Sequence, residues 1–110
     1  METGIELIAA ERKRQIEAEG YTAEHDDAHA PGNLPMAAAA YALREPVLGG
    51  HILWPWDSES WKPGEGIEGR IRDHVKAGAL IAAEIDRLQR MRSNAELSRG
   101  ETQNAKADDA

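Results

Sequence analysis

The chain has 110 residues, no cysteine and a formal net charge of −7, with a pI near 5.0. This length allows one domain with a small core, and the acidic balance argues against general nucleic-acid binding, which needs a basic face. The lack of cysteine argues against a disulfide framework, and no apolar run approaches the roughly 18 residues of a membrane span. We therefore expect a single acidic domain in the cytoplasm.

Residues 3–19 predict the first helix. Thr3 and Glu6 have the spacing of a capping box, in which each side chain satisfies a free amide of the first turn. Gly20 is placed to take the left-handed conformation that ends many helices. Arg12 interrupts the apolar positions, so we expect it to meet a carboxylate. The apolar positions that predict the buried face are Ile5, Ile8, Ala9 and Ile16.

Residues 21–32 lose this periodicity and predict a polar loop that ends in a proline-glycine turn. Residues 33–45 predict the second helix, and Pro46 sets its end because proline disfavours the helical conformation of the preceding residue. Four successive alanines at positions 37–40 allow another helix to approach closely. We expect this second helix to be central in the packing.

The connection to the next helix holds all three tryptophans, within residues 52–63. Long connections are usually functional or disordered in small domains, and this one is too apolar for disorder. We expect it to pack over one end of the helices, with Trp54 as an anchor and Trp56 and Trp61 available for recognition. A short strand at residues 51–54 is an alternative for which the chain offers no clear partner.

Residues 67–92 predict the third helix, and its middle, residues 77–83, is apolar enough to be enclosed by the other two helices. Gly78 inside it costs roughly 1 kcal/mol unless a neighbour fills the space, and the alanine-rich second helix is the expected neighbour. Residues 93–110 predict a polar tail, flexible or a fraying helix. The predicted apolar stripe is Ile71, Val75, Gly78, Ile81 or Ala82, Ile85, Leu88 and Met91.

These elements predict an all-α fold. It is a compact domain of three helices in residues 1–92, with the tryptophan-rich connection packed over one end.

The densest ionisable cluster lies at residues 24–29. Carboxylates and imidazoles so close together can bind Mg²⁺, Mn²⁺ or Zn²⁺, and His25-Asp26 resembles the dyad of HD-type phosphohydrolases. That family needs a further upstream histidine, which this chain lacks, and it carries its dyad on a helix, whereas this pair lies in a predicted loop. Pairing of Asp26 and Asp27 with arginines is the structural alternative.

An all-α nucleotide pyrophosphohydrolase of the MazG kind holds Mg²⁺ with Glu-x-x-Glu and Glu-x-x-Asp on helices, because those spacings put both carboxylates on one face. Here Glu24 and Asp27 lie in the predicted loop, and Glu65 and Glu68 precede the third helix. A metal-dependent nucleotide hydrolase that uses residues 24–27 remains an alternative function. The leading prediction has no catalytic residue, no metal and no cofactor.

Basic residues follow the tryptophan segment: Lys62, Arg70 and Arg72. They could receive a phosphate near the start of the last helix while a tryptophan stacks on a base. Salt bridges to Asp26, Asp27 or Glu59 are the alternative. The predicted ligand-binding residues are Tyr21, His25, Asp26, Asp27, Trp56, Trp61, Lys62 and Arg70.

Short segments across residues 10–90 occur in a specific combination. They are Glu11-Arg12, Arg14-Gln15, Glu19-Gly20-Tyr21-Thr22, His25-Asp26-Asp27, the alanine run that ends in Tyr41, Trp54-Pro55-Trp56, Lys62-Pro63, Lys76-Ala77-Gly78-Ala79-Leu80-Ile81, Glu84-Ile85 and Arg87-Leu88. In this combination the chain resembles a group of small bacteriophage and prophage proteins, which implies an accessory protein acting in the cytoplasm of the bacterial host. Gly20-Tyr21 and Asp26-Asp27 are loosely similar to bacterial ryanodine-receptor-type repeat domains, but the His-Pro segment expected next is missing.

The functional hypothesis is a non-catalytic accessory or counter-defence protein. It would sequester a nucleotide-like small ligand, or occlude a host protein, through the tryptophan-rich connection and the His-Asp-Asp loop. A structural homo-oligomer, with the alanine face or the tryptophans as its interface, is a further alternative.

Overall fold

The protein is all-α, as predicted. A computed structural model describes residues 1–29, 31–43 and 50–107, and every regular element in these ranges is helical. The predicted end of the second helix near Glu45 lies outside the described residues, as do Val47 and Leu48 of the connection. The elements are α1 (Gly4–Ala18), α2 (Ala23–Ala28), α3 (Asn33–Leu43), α4 (Gly50–Leu53), a 3-10 turn (Ser58–Ser60) and α5 (Gly66–Ala107).

Helix α3 is central in the packing, as predicted. Ala37, Ala38 and Ala40 have almost no exposed surface and pack on the side where small residues of α5 lie, so the two helices can approach closely. The three tryptophans and Tyr21 are partly buried against this core, which places the tryptophan-bearing connection over one end of the helices. The core side chains are Leu34, Ala37, Ala38, Tyr41, Ala77, Leu80 and Ala83.

The buried face of α1 is largely polar, so the predicted apolar face is wrong except at Ile8, which packs against α5. Ile5 is 82% exposed and Ile16 is 39% exposed, whereas Glu11 and Gln15 are buried. A carboxylate can be buried in this way only where cations and hydrogen bonds satisfy it. The capping box of Thr3 at the start of the helix is present as predicted.

Helix α1 crosses α5 at Gly78. A Cβ added at Gly78 would lie 2.5 Å from Cδ1 of Ile8, so the missing side chain accommodates α1 and not the alanine-rich α3. The prediction named the wrong neighbour because the gap at a glycine admits a long side chain such as isoleucine. The alanines of α3 pack against small side chains of α5 and do not require a glycine at the contact.

Helix α5 buries its small residues and exposes most of its large ones. The predicted stripe is exposed at Ile71, Ile81, Ile85, Leu88 and Met91. Residues 77–83 do pack against both α1 and α3, as predicted, and Ile81 is the exposed residue of this segment. The buried positions of this segment match the alanine surface of α3. The helix also runs past the predicted end near residue 92, because the sequence that follows has no proline and contains many good helix formers.

Two short helices occupy segments that were predicted otherwise. Helix α2 lies in the predicted loop, and the Thr22 hydroxyl caps it by accepting from the His25 amide at 3.3 Å. Helix α4 replaces the alternative strand, because no neighbouring strand in the described ranges could pair with it. Gly20 has a φ of 75° and ends α1 as predicted.

None of the described helices combines the length and the apolar character that crossing a membrane requires.

Candidate functional site

A cleft of about 460 Å³ lies between α1, α2 and the tryptophan-bearing connection, with α3 and α5 at its base. This volume is within the range of roughly 300–1,000 Å³ that small-molecule sites occupy. The aromatic side chains that line the cleft are Tyr21, His25, His29, Tyr41, Trp54 and Trp56. The charged ones are Glu11, Arg14, Glu19, Asp57, Lys62 and Lys76.

The aromatic residues form a continuous series of ring contacts, which we call the aromatic wall. Tyr21 stacks on His25 with 4.6 Å between ring centroids and 7° between planes, and His25 meets His29 edge-on at 4.4 Å. His29 then contacts Trp56 at 5.1 Å, and Trp56 contacts Trp54 at 5.0 Å. Such a series presents both faces and edges of rings, which suits a planar ligand.

Behind the aromatic wall, a hydrogen-bonded chain links a buried carboxylate to the two histidines. The Nδ1 atom of His25 lies 2.9 Å from Oδ1 of Asp26, a side chain with no exposed surface. The Nε2 atoms of His25 and His29 are 3.0 Å apart, so one proton can bridge them. Burial and the neighbouring His25 hold the pKa of His29 below its usual value. Arg12 balances the buried carboxylate at 3.4 Å, as predicted for this arginine.

Glu11 is a hydrogen-bonding centre at the base of the cleft. Its carboxylate accepts from Arg14 at 2.8 and 3.0 Å, from Arg72 at 2.5 Å and from the Gln15 amide at 3.1 Å. Burial acts to raise the pKa of Glu11, but the hydrogen bonds from the two arginines outweigh it, so the pKa lies below its usual value. The carboxylate is therefore charged and its lone pairs are largely used.

Gln15 lines the cleft with an unused acceptor. Since Glu11 is an acceptor, the nitrogen of the Gln15 amide must face it, and this fixes the orientation of the amide. The residue is only 3% exposed, and its oxygen Oε1 is buried without a hydrogen-bond partner among the described residues. A buried amide oxygen of this kind is uncommon and marks a place where a further group can bind.

The two tryptophans of the cleft differ in the hydrogen bonding of their ring nitrogens. Nε1 of Trp54 donates to the carbonyl of Asp57 at 2.9 Å and lies 3.1 Å from the Ser60 hydroxyl. Nε1 of Trp56 is buried and has no partner among the described residues. Two residues that line the cleft thus each carry a buried and unused polar atom, the donor of Trp56 and the acceptor of Gln15.

Lys76 supplies a cation to the cleft. Its ammonium lies over the Tyr41 ring at 5.1 Å and has a long hydrogen bond of 3.4 Å to the carbonyl of Lys62. Burial, with a smaller contribution from the nearby Arg72, lowers the pKa of Lys76. An ammonium has three donors, so this one can still donate to an anionic group of a ligand.

The structure brings together half of the predicted ligand-binding residues. Tyr21, His25, Trp56 and Lys62 line the cleft. The other four do not line it: Asp26 lies behind His25, Trp61 packs on Tyr41 and Trp54, Asp27 pairs with Arg90 at 2.8 Å, and Arg70 is exposed on α5.

Sequence reasoning missed Glu11, Gln15, His29, Trp54 and Lys76 as lining residues. For α1 a signal was available, because Glu11 and Gln15 are four residues apart and therefore share one helical face. The prediction instead took the apolar positions of α1 as its buried face. The cation of Lys76 had no comparable signal in the sequence.

The carboxylates of α2 point to separate partners. Glu24 is exposed, Asp26 contacts His25 and Arg12, and Asp27 contacts Arg90. No three histidine or acidic side chains in the described ranges gather into a metal-binding group. The His25-Asp26 pair does lie on a helix, which corrects the loop prediction, because the cap at Thr22 starts α2 there.

Comparisons of this chain with models of protein families, with curated proteins and with solved structures find no match. The resemblance to small phage proteins therefore stays a prediction. The functional argument rests on the chemistry of the cleft.

Proposed function

We propose that the protein binds a small nucleotide-like ligand in the cleft and sequesters it without turnover. In this proposal it is an accessory or counter-defence factor of the phage type, acting in the cytoplasm of a bacterial host. The observation that carries the proposal is that two residues lining the cleft each have a buried polar atom without a partner among the described residues, the acceptor Oε1 of Gln15 and the donor Nε1 of Trp56.

Both atoms favour a ligand with donors and acceptors of its own. A buried polar group without a partner costs about 1–3 kcal/mol, and a ligand that reaches it recovers that free energy on binding. A nucleobase offers ring N–H or amino donors, ring nitrogen or carbonyl acceptors, and a flat face for the aromatic wall. Lys76, with Lys62 at the rim, can receive a phosphate.

Binding without turnover is supported by the state of the acidic side chains. Glu11 is held by two arginines, Asp26 by Arg12 and His25, and Asp27 by Arg90. A metal-dependent hydrolase needs carboxylates that converge on an ion and keep free lone pairs. These side chains instead stabilise the packing of the helices around the cleft.

The test is a titration with mononucleotides and cyclic dinucleotides, followed by the fluorescence of the tryptophans. We expect a saturable change for at least one of them, and intact ligand recovered by chromatography after heat denaturation. Gln15→Leu should weaken binding about tenfold, the equivalent of one hydrogen bond of about 1.4 kcal/mol. Gln89→Leu, at an exposed position of α5 outside the cleft, is the matched control and should bind as the wild type does.

Two results would overturn the proposal. If no nucleotide changes the fluorescence, the cleft does not take this class of ligand. If the ligand is recovered hydrolysed, and more rapidly with Mg²⁺ or Mn²⁺, the hydrolase alternative is correct.

Self-association, or binding of a host protein, is a second candidate because of the exposed apolar side chains of α5. Ile81, Ile85 and Leu88 recur at spacings of four and three, so they lie on one face of the helix, and each is 41–51% exposed. Ala37, Ala38 and Ala40 of α3 are buried inside the domain, so this face of the helix is not available as an interface. Sedimentation of the wild type and of Ile85→Glu measures self-association directly, since only an oligomer that uses this face would dissociate.

A further inference from the structure

We propose that His25 and His29 together bind a divalent transition-metal ion such as Zn²⁺ or Ni²⁺ at the wall of the cleft. This inference departs from the sequence prediction of no metal, and it does not rest on the proposed binding of nucleotides. It starts from two imidazoles one helical turn apart, whose Nε2 atoms are 3.0 Å from each other.

The geometry of the two rings suits a chelate. Metal-to-imidazole bonds of about 2.0–2.1 Å reach both Nε2 atoms at once, with an angle of about 95° between the bonds at the metal. The rings are nearly perpendicular, at 80°, and both line the cleft. Without a metal, a single proton between the two nitrogens occupies this position.

The surroundings of His25 match those of a metal ligand. Its Nδ1 contacts the fully buried Asp26 at 2.9 Å, and Tyr21 stacks on the ring. A carboxylate on the far nitrogen fixes the ring and the tautomer and leaves the lone pair of Nε2 directed at the metal. His29 would carry its proton on Nδ1 when a metal is bound.

The remaining coordination positions are open to the cleft. Among the described residues no third histidine or carboxylate completes the set. Water, or an oxygen of an anionic ligand, would therefore take those positions, as in metal sites that keep an exchangeable ligand. Neutral imidazole suits zinc, nickel and copper better than magnesium or calcium, which prefer oxygen ligands.

The experiment uses the full chain without a histidine tag and titrates it with NiCl₂ and with ZnCl₂ alone. Because His29 contacts Trp56, we expect Ni²⁺ to quench the tryptophan fluorescence in a saturable way, and Zn²⁺ to reverse the quenching by competition. His29→Ala should lower the affinity for both ions at least about tenfold, and Asp26→Asn about 10–100-fold. Affinity should fall as the pH is lowered, because protons compete for the imidazoles.

His74→Ala is the matched control, since His74 is exposed on α5 and does not line the cleft. It should bind both ions as the wild type does, and circular dichroism should confirm that each variant is folded. The proposal is overturned if quenching is not saturable, if His29→Ala binds Ni²⁺ and Zn²⁺ unchanged, or if His74→Ala loses as much affinity as His29→Ala.

Discussion

The amide of Gln15 donates to the carboxylate of Glu11 across 3.1 Å, one helical turn earlier on α1, and both side chains are buried. Arg72 of α5 binds the same carboxylate at 2.5 Å. The polar face of α1 is therefore joined to α5 by hydrogen bonds, and the same face lines the cleft. Stability and the candidate site thus depend on one group of side chains.

Glu11→Ala should lower the free energy of unfolding by about 2–3 kcal/mol. The substitution removes the acceptor of two arginines and of Gln15. Hydrogen bonds to a charged group contribute about 1.5–3 kcal/mol each to the free energy of unfolding. Part of this loss is recovered, because the arginines can form hydrogen bonds with water instead. Urea denaturation followed by circular dichroism measures the change. Glu6→Ala, in the exposed capping box of the same helix, is the control and should have a smaller effect. Equal losses in the two variants would contradict a special role for Glu11.

Trp54→Phe and Trp56→Phe form a matched pair that separates a structural tryptophan from a binding one. Phenylalanine keeps most of the ring but removes Nε1, which has hydrogen-bond partners in Trp54 and none in Trp56. We expect Trp54→Phe to destabilise the protein by about 1–2 kcal/mol, because the carbonyl of Asp57 and the Ser60 hydroxyl each lose the hydrogen bond that Nε1 donates.

Trp56→Phe should change the free energy of unfolding by less than about 1 kcal/mol, because it removes a donor that is unused. Thermal and urea denaturation of the two variants provide the measurement. If Trp56→Phe is the more destabilising of the two, Nε1 of Trp56 has a structural partner and the argument for a ligand at that atom fails.

Local signals in the sequence predicted much of the fold correctly. The capping box at Thr3, the ending at Gly20 and the central alanine-rich helix depend on nearby residues, and all three are present. The buried faces of α1 and α5 were predicted only in part, because they depend on residues far apart in the chain. The burial of Glu11 depends in part on Arg72, which lies 61 residues later and donates to its carboxylate.

Half of the predicted ligand-binding residues line the cleft, because local signals identified some lining residues and long-range packing places the others. Tyr21, His25 and Trp56 stood out as ionisable or aromatic residues in apparent loops, and they line the cleft. Gln15 and Lys76 are ordinary polar residues in helices, and only the packing of α1 and α5 places them at the cleft. No periodicity in the sequence carries that information.

Gly78→Ala should destabilise the protein by about 1 kcal/mol, although alanine is the better helix former. The added methyl group would lie 2.5 Å from Cδ1 and 2.8 Å from Cγ1 of Ile8, and overpacking of about 1–3 kcal/mol exceeds the gain of roughly 1 kcal/mol in helix propensity. In an Ile8→Ala background, which lacks Cδ1 and both γ carbons, the same substitution should become neutral or stabilising. A double-mutant cycle from urea denaturation measures the coupling.

Gly100→Ala is the control for the glycine substitution, since nothing lies within 4 Å of the added atom. It should be neutral or slightly stabilising. A Gly78→Ala variant as stable as the wild type would show that α1 moves away without loss, and that the crossing is not tightly packed.

The stability of the protein should fall as the pH is lowered below about 6.5, the ordinary pKa of histidine. Burial and the neighbouring His25 hold the pKa of His29 below that value, while Asp26 opposes them to a smaller extent. The unfolded chain therefore takes up the proton first, so the contribution of neutral His29 is complete above pH 6.5 and is lost as the pH falls through the pKa of the folded state. Trp56, the other contact of His29, does not titrate.

Urea denaturation at about pH 7.5, 6.5 and 5.5 gives the slope of the unfolding free energy against pH, and this slope reports the difference in bound protons between the two states. His29→Gln should flatten the slope in this range, whereas His74→Gln should leave it unchanged because His74 is exposed. The low pKa of Glu11 contributes only below about pH 4.5, so it does not overlap with this window. A slope that survives in His29→Gln would assign the proton uptake to another group and leave the His25–His29 contact without a role in stability.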